Sequence, residues 1–396
     1  MHVVLLSHEY PPFLFGGVGI FVKDLAQGLA NLGLEVTVVS GRPVPWKSEP
    51  SSNFDKREDR ITTIRLPYPN LVPRHITFQL FNAAKLKEIL KSIKPDVVHG
   101  QSGSAYPAII SIRKSAPVVV TFHGSPAMTK NLSLNSVGKG GSFGDFLTGV
   151  IGYPAYEYGY RAEYKNSSAS VAVSESLMKQ LSAEMKVDDN KFQYIRNGVN
   201  LKYLDELCSR TCNSTQNSKK PTLLFGGRLF WSKGVLNLVD LAYLLEKKYL
   251  LDMEIVIYGS GPMHKEILQR KTKYGLKNLF LKDFTSRSDF LREMMKATFV
   301  LIPSFYEAAP MVLLESMCMG KIPVMFNLPY SREFTKSGKY GILTENVADM
   351  ALKINDLYNS GGIPHLETKI RNFARENFNV EKTSLAYYKL YQRICN

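Results

Sequence analysis

Short apolar runs with the look of strands alternate with amphipathic segments in this chain, in two successive sets with a polar stretch between them. In the first set, residues 2–7, 35–40, 63–66, 96–99, 118–122, 171–173 and 194–195 read as strands, and residues 19–33, 81–93 and 156–165 as helices. Residues 126–148, with several glycines and serines, read as a loop or lid. The second set starts at 222–225 and continues with a helix over 235–248 and strands over 254–258, 279–282, 299–303 and 324–326. Strand–helix alternation of this kind predicts parallel sheets covered by helices on both faces. The expected fold class is therefore α/β, with two doubly wound, Rossmann-like domains facing across a cleft. At 396 residues the chain exceeds one ordinary core, which agrees with two domains. The expected division is 1–205, a linker over 206–220, a second domain over 221–378, and a last helix over 379–396. Ligands of such sheets bind beyond the carboxyl ends of the strands.

Composition narrows the function. Hydrophobic residues make up 44% and charged residues 21%, as in an ordinary globular protein. No apolar run reaches the ~18 residues that would span a bilayer, and residues 1–7 read as a first strand, not a secretion signal. Four cysteines, Cys208, Cys212, Cys318 and Cys395, are too few for a disulfide framework and lack the partners of a zinc site. They suit a reducing cytoplasm. The net charge of +15 favours an anionic partner. No nucleic-acid module or dense basic run is present, so a nucleic acid is not the expected one.

The sharpest motif is Glu307-Ala308-Ala309-Pro310-Met311-Val312-Leu313-Leu314-Glu315. Before it comes the apolar run 297–303, long enough for one buried parallel strand. Pro310 suits a helix start, and Gly320 with Pro323 marks the helix end. Glu307 then lies in the loop beyond the strand, and Glu315 about 7.5 Å further along the helix, at a rise of ~1.5 Å per residue. The first-turn N–H groups, Met311 and Val312 among them, fall near both acids, where a phosphate is well placed. Two carboxylates flanking a phosphate site match the shape of a nucleotide-sugar.

The whole stretch from Ser304-Phe305-Tyr306-Glu307 to Lys321-Ile322-Pro323-Val324 resembles the donor-site signature of retaining glycosyltransferases of family 4, also described as group 1, which have the GT-B fold. Further motifs extend the resemblance over nearly the whole chain. Glu9-Tyr10-Pro11-Pro12 through Gly16, Gly17 and Gly19 is similar to the family's first-domain glycine loop, which approaches the sugar diphosphate. Gly226-Gly227-Arg228 and Lys233-Gly234 resemble its Gly-Arg…Lys-Gly motif, whose guanidinium and ammonium grip phosphate. Thr121-Phe122-His123-Gly124 is similar to the segment carrying the first-domain histidine that contacts the transferred sugar. His99 and His8 are weaker candidates near the acceptor. Arg196-Asn197-Gly198-Val199-Asn200 resembles the family's junction segment, with Arg196 in place of proline and Asn200 in place of aspartate. Gly259 lies in a Gly-x-Gly-Pro turn, with Phe284 and Thr285 expected near the base. After Val324 the chain departs from the family: Asn327-Leu328-Pro329-Tyr330 stands where a small glycine turn is usual, which would narrow the pocket.

The resemblance implies transfer of a sugar from a nucleoside-diphosphate sugar to a saccharide or lipid-linked acceptor hydroxyl, without a metal or other cofactor. It implies Glu307, His123, Arg228 and Lys233 as catalytic residues. The implied donor-binding residues are Gly16, Gly17, Gly259, Phe284, Thr285, Ala308, Ala309, Met311, Val312 and Glu315. The last helix, which in that fold packs back on the first domain, is expected over 383–395. Basic residues Lys85, Lys87 and Lys91 resemble the membrane-facing helix of lipid-modifying members, so peripheral contact with an anionic membrane is a further expectation. The alternatives are a glycogen- or polysaccharide-synthase-like enzyme and a catalytically silent sugar-nucleotide binder.

Overall fold

The computed structural model describes residues 1–45, 54–71, 74–102, 106–134, 153–188, 191–211 and 220–396. Most of the 126–148 segment and the core of the 206–220 linker, with Cys212, lie outside these residues. The helix Pro126–Leu134 opens the first of those segments, which the sequence reads as irregular. Cys208, Cys318 and Cys395 form no disulfide among the described residues.

The chain divides into two compact units. The first is built from Met1–Lys130, Thr148–Gly198 and Val380–Asn396, and the second centres on Val199–Asn379. The first unit holds strands β1 (His2–Ser7), β2 (Glu35–Val44), β3 (Phe54–Glu58), β4 (Ile61–Pro69), β5 (Val97–Gln101), β6 (Val118–Phe122), β7 (Ala169–Ala172) and β8 (Phe192–Tyr194). They form one sheet in the order β3-β4-β2-β1-β5-β6-β7-β8. All neighbours are parallel except the β3–β4 pair. The central strands β1, β5 and β6 are Val- and Leu-rich and buried, as strands covered on both faces must be. Strand β3, Phe-Asp-Lys-Arg-Glu, is a charged antiparallel edge that no apolar run announces. Strand β2 runs four residues past Ser40, through Gly41 and Pro43. The helix Arg74–Ile93 begins seven residues before Phe81, because its first turns carry polar residues that hide the period.

The last helix, Val380–Cys395, belongs to the first unit. Its Tyr387 and Tyr391 are fully buried in one cluster with Phe21, Leu25 and Val97. Their hydroxyls bond outward from that cluster, Tyr387 with Thr121 Oγ1 at 2.8 Å and Tyr391 with His99 Nδ1 at 2.6 Å.

The second unit holds β9 (Thr222–Gly226), β10 (Glu254–Tyr258), β11 (Leu279–Lys282), β12 (Phe299–Ile302), β13 (Ile322–Phe326) and β14 (Ile342–Thr344). Its sheet has the order β11-β10-β9-β12-β13-β14 and is parallel throughout. The register pairs Phe299 with both Leu223 and Ile322, so β9, β12 and β13 end level with one another. The helix predicted over 235–248 is α-helical over Val235–Tyr243 and then widens to a π turn over Leu244–Lys248.

Candidate functional site

In the second unit the predicted site residues gather at one edge of one sheet. Arg228 and Lys233 follow β9, Gly259 follows β10, Phe284 and Thr285 follow β11, and Glu307 through Val312 follow β12. Because every strand is parallel, all of these loops leave the sheet at its carboxyl end. The edge is also where the strand order reverses direction between β9 and β12, the position at which open α/β sheets bind ligands.

The loop after β9 is held by backbone contacts. Gly227 N–H donates to Tyr258 O at 3.0 Å and Leu229 N–H to Ser260 O at 2.8 Å. Gly259 permits this approach, since a Cβ there would lie 1.9 Å from Gly227 O. A short 3-10 turn, Trp231–Lys233, ends on Gly234 at φ 65°, a left-handed conformation that suits glycine. A Cβ on Gly234 would lie 1.9 Å from Pro303 O, the carbonyl at the end of β12. Phe305 N–H donates to Ser232 O at 2.9 Å. The β9 and β12 loops are thus locked together, and Trp231 packs on Phe305 with ring centroids 5.6 Å apart.

This packing brings Lys233 Nζ to 2.5 Å from Glu307 Oε1. The lysine side chain is 28% exposed and the glutamate 14%, so the pair is open to an incoming ligand on one side. An ammonium has three donors, so Lys233 can hold Glu307 and an anionic oxygen together. Arg228 is exposed, with its guanidinium 5.4 Å from the Phe230 ring centroid.

The helix Met311–Cys318 follows directly. Pro310 is its N-cap residue, in extended conformation, and no side chain caps it. Its first-turn N–H groups, those of Met311 and Val312 included, therefore carry the positive end of the helix dipole without a side-chain acceptor. Ala308 is buried and Ala309 partly so, leaving little bulk before that turn. Glu315, one face further along, is 4% exposed. Arg287 donates to its Oε1 through Nε at 3.1 Å and Nη2 at 2.6 Å. Phe284 stands 74% exposed at the same edge, and Thr285 is half-buried beside it.

Tyr330 lies in the helix Pro329–Thr335 after β13. Its ring is buried, and its hydroxyl finds no hydrogen-bond partner among the described residues. Burial, then the charge of Glu307, holds the phenol well above its usual pKa. The residue that departs from the family's glycine turn is therefore close enough to Glu307 to feel its charge.

The first unit gathers its own candidates at the carboxyl ends of β1, β5 and β6. Glu9 is 2% exposed, and its Oε2 accepts from Phe15 N–H at 2.7 Å and Gly16 N–H at 2.8 Å. This carboxylate shapes the glycine loop. It also commits the Gly16 amide, which the sequence reading leaves open to a phosphate. Gly17 is exposed and is the N-cap of the helix Val18–Asn31, again with no side-chain cap. His123 packs edge-on to Phe21 and shares a 2.7 Å hydrogen bond between Nε2 and Gln101 Oε1. Burial, then the nearby His8, lowers its pKa to about 3, so the ring is neutral at physiological pH. His8 is lowered to about 4 by burial and by Arg74. His99 is fully buried, with Nδ1 bonded to Tyr391 and Nε2 to Thr121 Oγ1 at 2.7 Å, and its role is structural.

Sequence reading missed Glu9, Arg287, Gln101 and the burial of Tyr330. Glu9 and Tyr330 stand inside quoted motifs. Arg287 follows Thr285 by two residues and has no spacing signal, since its partner lies 28 positions away.

Comparison with known proteins completes the picture. Glycosyltransferase Family 4 matches residues 15–203 and Glycosyl transferases group 1 matches residues 213–377. An uncharacterized glycosyltransferase of Methanocaldococcus jannaschii is 25% identical over 357 residues, covering 86% of this chain and 84% of its own. Glycogen synthase of Mycobacterium tuberculosis is 22% identical over 379 residues, covering 90% and 86%. Among solved structures, sucrose-phosphate synthase from Thermosynechococcus elongatus superposes with a TM-score of 0.79 at 17% identity, covering 99% of this chain and 98% of its own. Anabaena HepE, solved in complex with UDP and glucose, gives 0.70 at 14% identity, covering 99% and 100%. These likenesses establish the GT-B fold.

Proposed function

The chain belongs to the glycosyltransferases that join a family 4 domain to a group 1 domain, and on that premise we propose that it moves a sugar from a nucleoside-diphosphate sugar to an acceptor hydroxyl with retention of anomeric configuration. The observation that carries the reading is the Lys233–Glu307 contact at the carboxyl edge of β9 and β12, beside an uncapped helix N-terminus. In this reading the cation and the backbone donors take the diphosphate, and the carboxylate takes the sugar ring.

In the proposed reaction the bond between the anomeric carbon and the diphosphate oxygen breaks, and the acceptor oxygen bonds to the same carbon from the same face. The acceptor's proton passes to the departing phosphate oxygen. Lys233, Arg228 and the amides of Met311 and Val312 meet the charge that builds on that phosphate, so they stabilise the transition state more than the bound donor. Glu307 contacts the sugar ring and favours its cationic character. Glu315 takes the ribose hydroxyls, and Gly259, Phe284 and Thr285 line the base. Ala308 and Ala309 leave room for the sugar. His123, neutral and with its ring fixed by Gln101, offers a hydrogen bond to the transferred sugar. In this reading cationic side chains do the work of a metal ion, and none is required.

The acceptor is a saccharide or a lipid-linked sugar. The likeness to a glycogen synthase favours a second reading in which the acceptor is a growing polysaccharide. Leu80 and Phe81, 71% and 55% exposed, adjoin exposed Lys85, Lys87 and Lys91 on the helix Arg74–Ile93. That combination suits peripheral contact with an anionic membrane surface by a cytoplasmic enzyme. Among the described residues no helix is long and apolar enough to cross a membrane. Incubating the purified protein with a panel of nucleotide-sugars, with and without short saccharide acceptors, tests the reading. Consumption of one donor with release of its nucleoside diphosphate is expected. Binding without consumption would identify a silent module.

A further inference from the structure

Glu315 poses a problem that its proposed role alone does not solve. It is 4% exposed, and both hydrogen bonds it accepts fall on Oε1. Oε2 has no partner among the described residues. It is not one of the buried polar atoms left without a partner, so this oxygen meets solvent, where a ligand can reach it. A guanidinium that served only to bind two helices together would gain more from the two-oxygen fork, with one N–H on each carboxylate oxygen. Here it spends Nε and Nη2 on one oxygen.

The position of Arg287 is equally unaccounted for by helix stability. It is the first residue of the helix Arg287–Lys296, whose N-cap, Ser286, accepts from Asp289 N–H. Cations are disfavoured at that end of a helix dipole. The side chain is nonetheless held. It is 19% exposed, and its guanidinium lies 5.6 Å from the ring centroid of Tyr203. Tyr203 is itself fixed through its N–H, which donates to Asn200 Oδ1 at 3.0 Å. A chain of contacts thus runs from Asn200 through Tyr203 and Arg287 to Glu315, all within the second unit. It starts at the junction motif, where asparagine replaces the family's aspartate.

We infer that Arg287 is a positioning residue for the ribose end of the nucleotide: by occupying Oε1 of Glu315 it turns Oε2 toward the two ribose hydroxyls. The inference rests on the donor reading above and adds a residue that neither motif nor spacing identifies. Its signature is discrimination between ribose and deoxyribose, which a purely structural ion pair would not govern.

The test uses the full-length protein and titration calorimetry. UDP, ADP and GDP are screened, and the tightest binder is compared with its 2′,3′-dideoxy counterpart. Wild type should prefer the ribonucleotide by about tenfold or more. In Arg287→Gln that ratio should collapse to below about twofold, with the ribonucleotide weakened toward the level of its dideoxy analogue. Arg287→Lys, which keeps the charge but not the fork, should recover part of the ratio. KM for the donor should rise in both variants more than kcat falls. A ratio preserved in a folded Arg287→Gln protein overturns the positioning role while leaving the donor reading intact. Wild type that binds no nucleoside diphosphate, or binds ribo and dideoxy forms equally, overturns both.

Discussion

Replacing Gly234 with alanine perturbs the contact on which the second unit's site is built. Two costs arise. The residue sits at φ 65°, and a side chain in that left-handed region costs roughly 1–2 kcal/mol. The new Cβ would also stand 1.9 Å from Pro303 O, where real Cβ contacts essentially never fall below 3.0 Å. The β9 loop must therefore withdraw from the β12 end by about 1 Å, and that movement separates Lys233 from Glu307. Misplacement on that scale costs on the order of a hundredfold in rate. Gly361→Ala supplies the control, since Gly361 has φ 68° with nothing within 4 Å of its Cβ position. It pays the conformational cost without the collision. The expected outcome is a fall of about a hundredfold in kcat/KM for Gly234→Ala and none for Gly361→Ala. Stability should drop by roughly 1–2 kcal/mol in the control and by more in Gly234→Ala; each kcal/mol corresponds to about 2–4 °C in Tm for a domain of this size. Steady-state transfer assays and calorimetric melts read both quantities. Equal loss of activity in the two variants, or none in Gly234→Ala, would refute the claim that this glycine sets the Lys233–Glu307 geometry.

Lys233→Ala should weaken nucleoside diphosphate binding by about ten- to a hundredfold, the worth of a charge-assisted hydrogen bond, as read by calorimetry; unchanged affinity would remove it from the phosphate clamp. Burial, with neighbouring charge, holds His75, His99 and His123 at about 3 and His8 at about 4. The unfolded chain, with histidines near 6.5, therefore takes up protons first, and the first unit should lose stability as pH falls from about 6.5 toward 4. Urea melts across that range measure the slope, and His99→Gln should flatten it. Leu80→Ser with Phe81→Ser should reduce co-sedimentation with anionic phospholipid vesicles while transfer to a water-soluble acceptor persists; unchanged sedimentation removes that helix from the membrane contact.

The parallel strands of both sheets were legible because buried strands of this kind are written as runs of Val and Ile, such as 97–98 in β5 and 255–257 in β10. Strand β3 was not, since Asp55, Lys56, Arg57 and Glu58 carry no apolar period. Nor was the start of the helix at Arg74, where His75, Thr77 and Gln79 interrupt the pattern, although Thr77 and Gln79 are buried. The site shows the same division. Glu307, Lys233 and Glu315 sit at fixed offsets from a strand end, so local pattern finds them. The choice of Arg287 as the partner of Glu315, and of Glu9 as the acceptor for the Gly16 amide, is made by packing. His99 and His123 look alike in sequence, each at a strand end. Only the tyrosines of the last helix, 266 and 292 positions away from their partners, show that His99 and Thr121 belong to the core.

The most direct trial of the account follows the anomeric proton signal of each nucleotide-sugar by NMR during incubation with acceptor, for wild type and Glu307→Gln side by side. The account predicts that wild type consumes one donor and gives a product of the same anomeric configuration. Glu307→Gln should bind the released nucleoside diphosphate yet leave the donor intact. Product of inverted configuration, or transfer by Glu307→Gln at the wild-type rate, would contradict it.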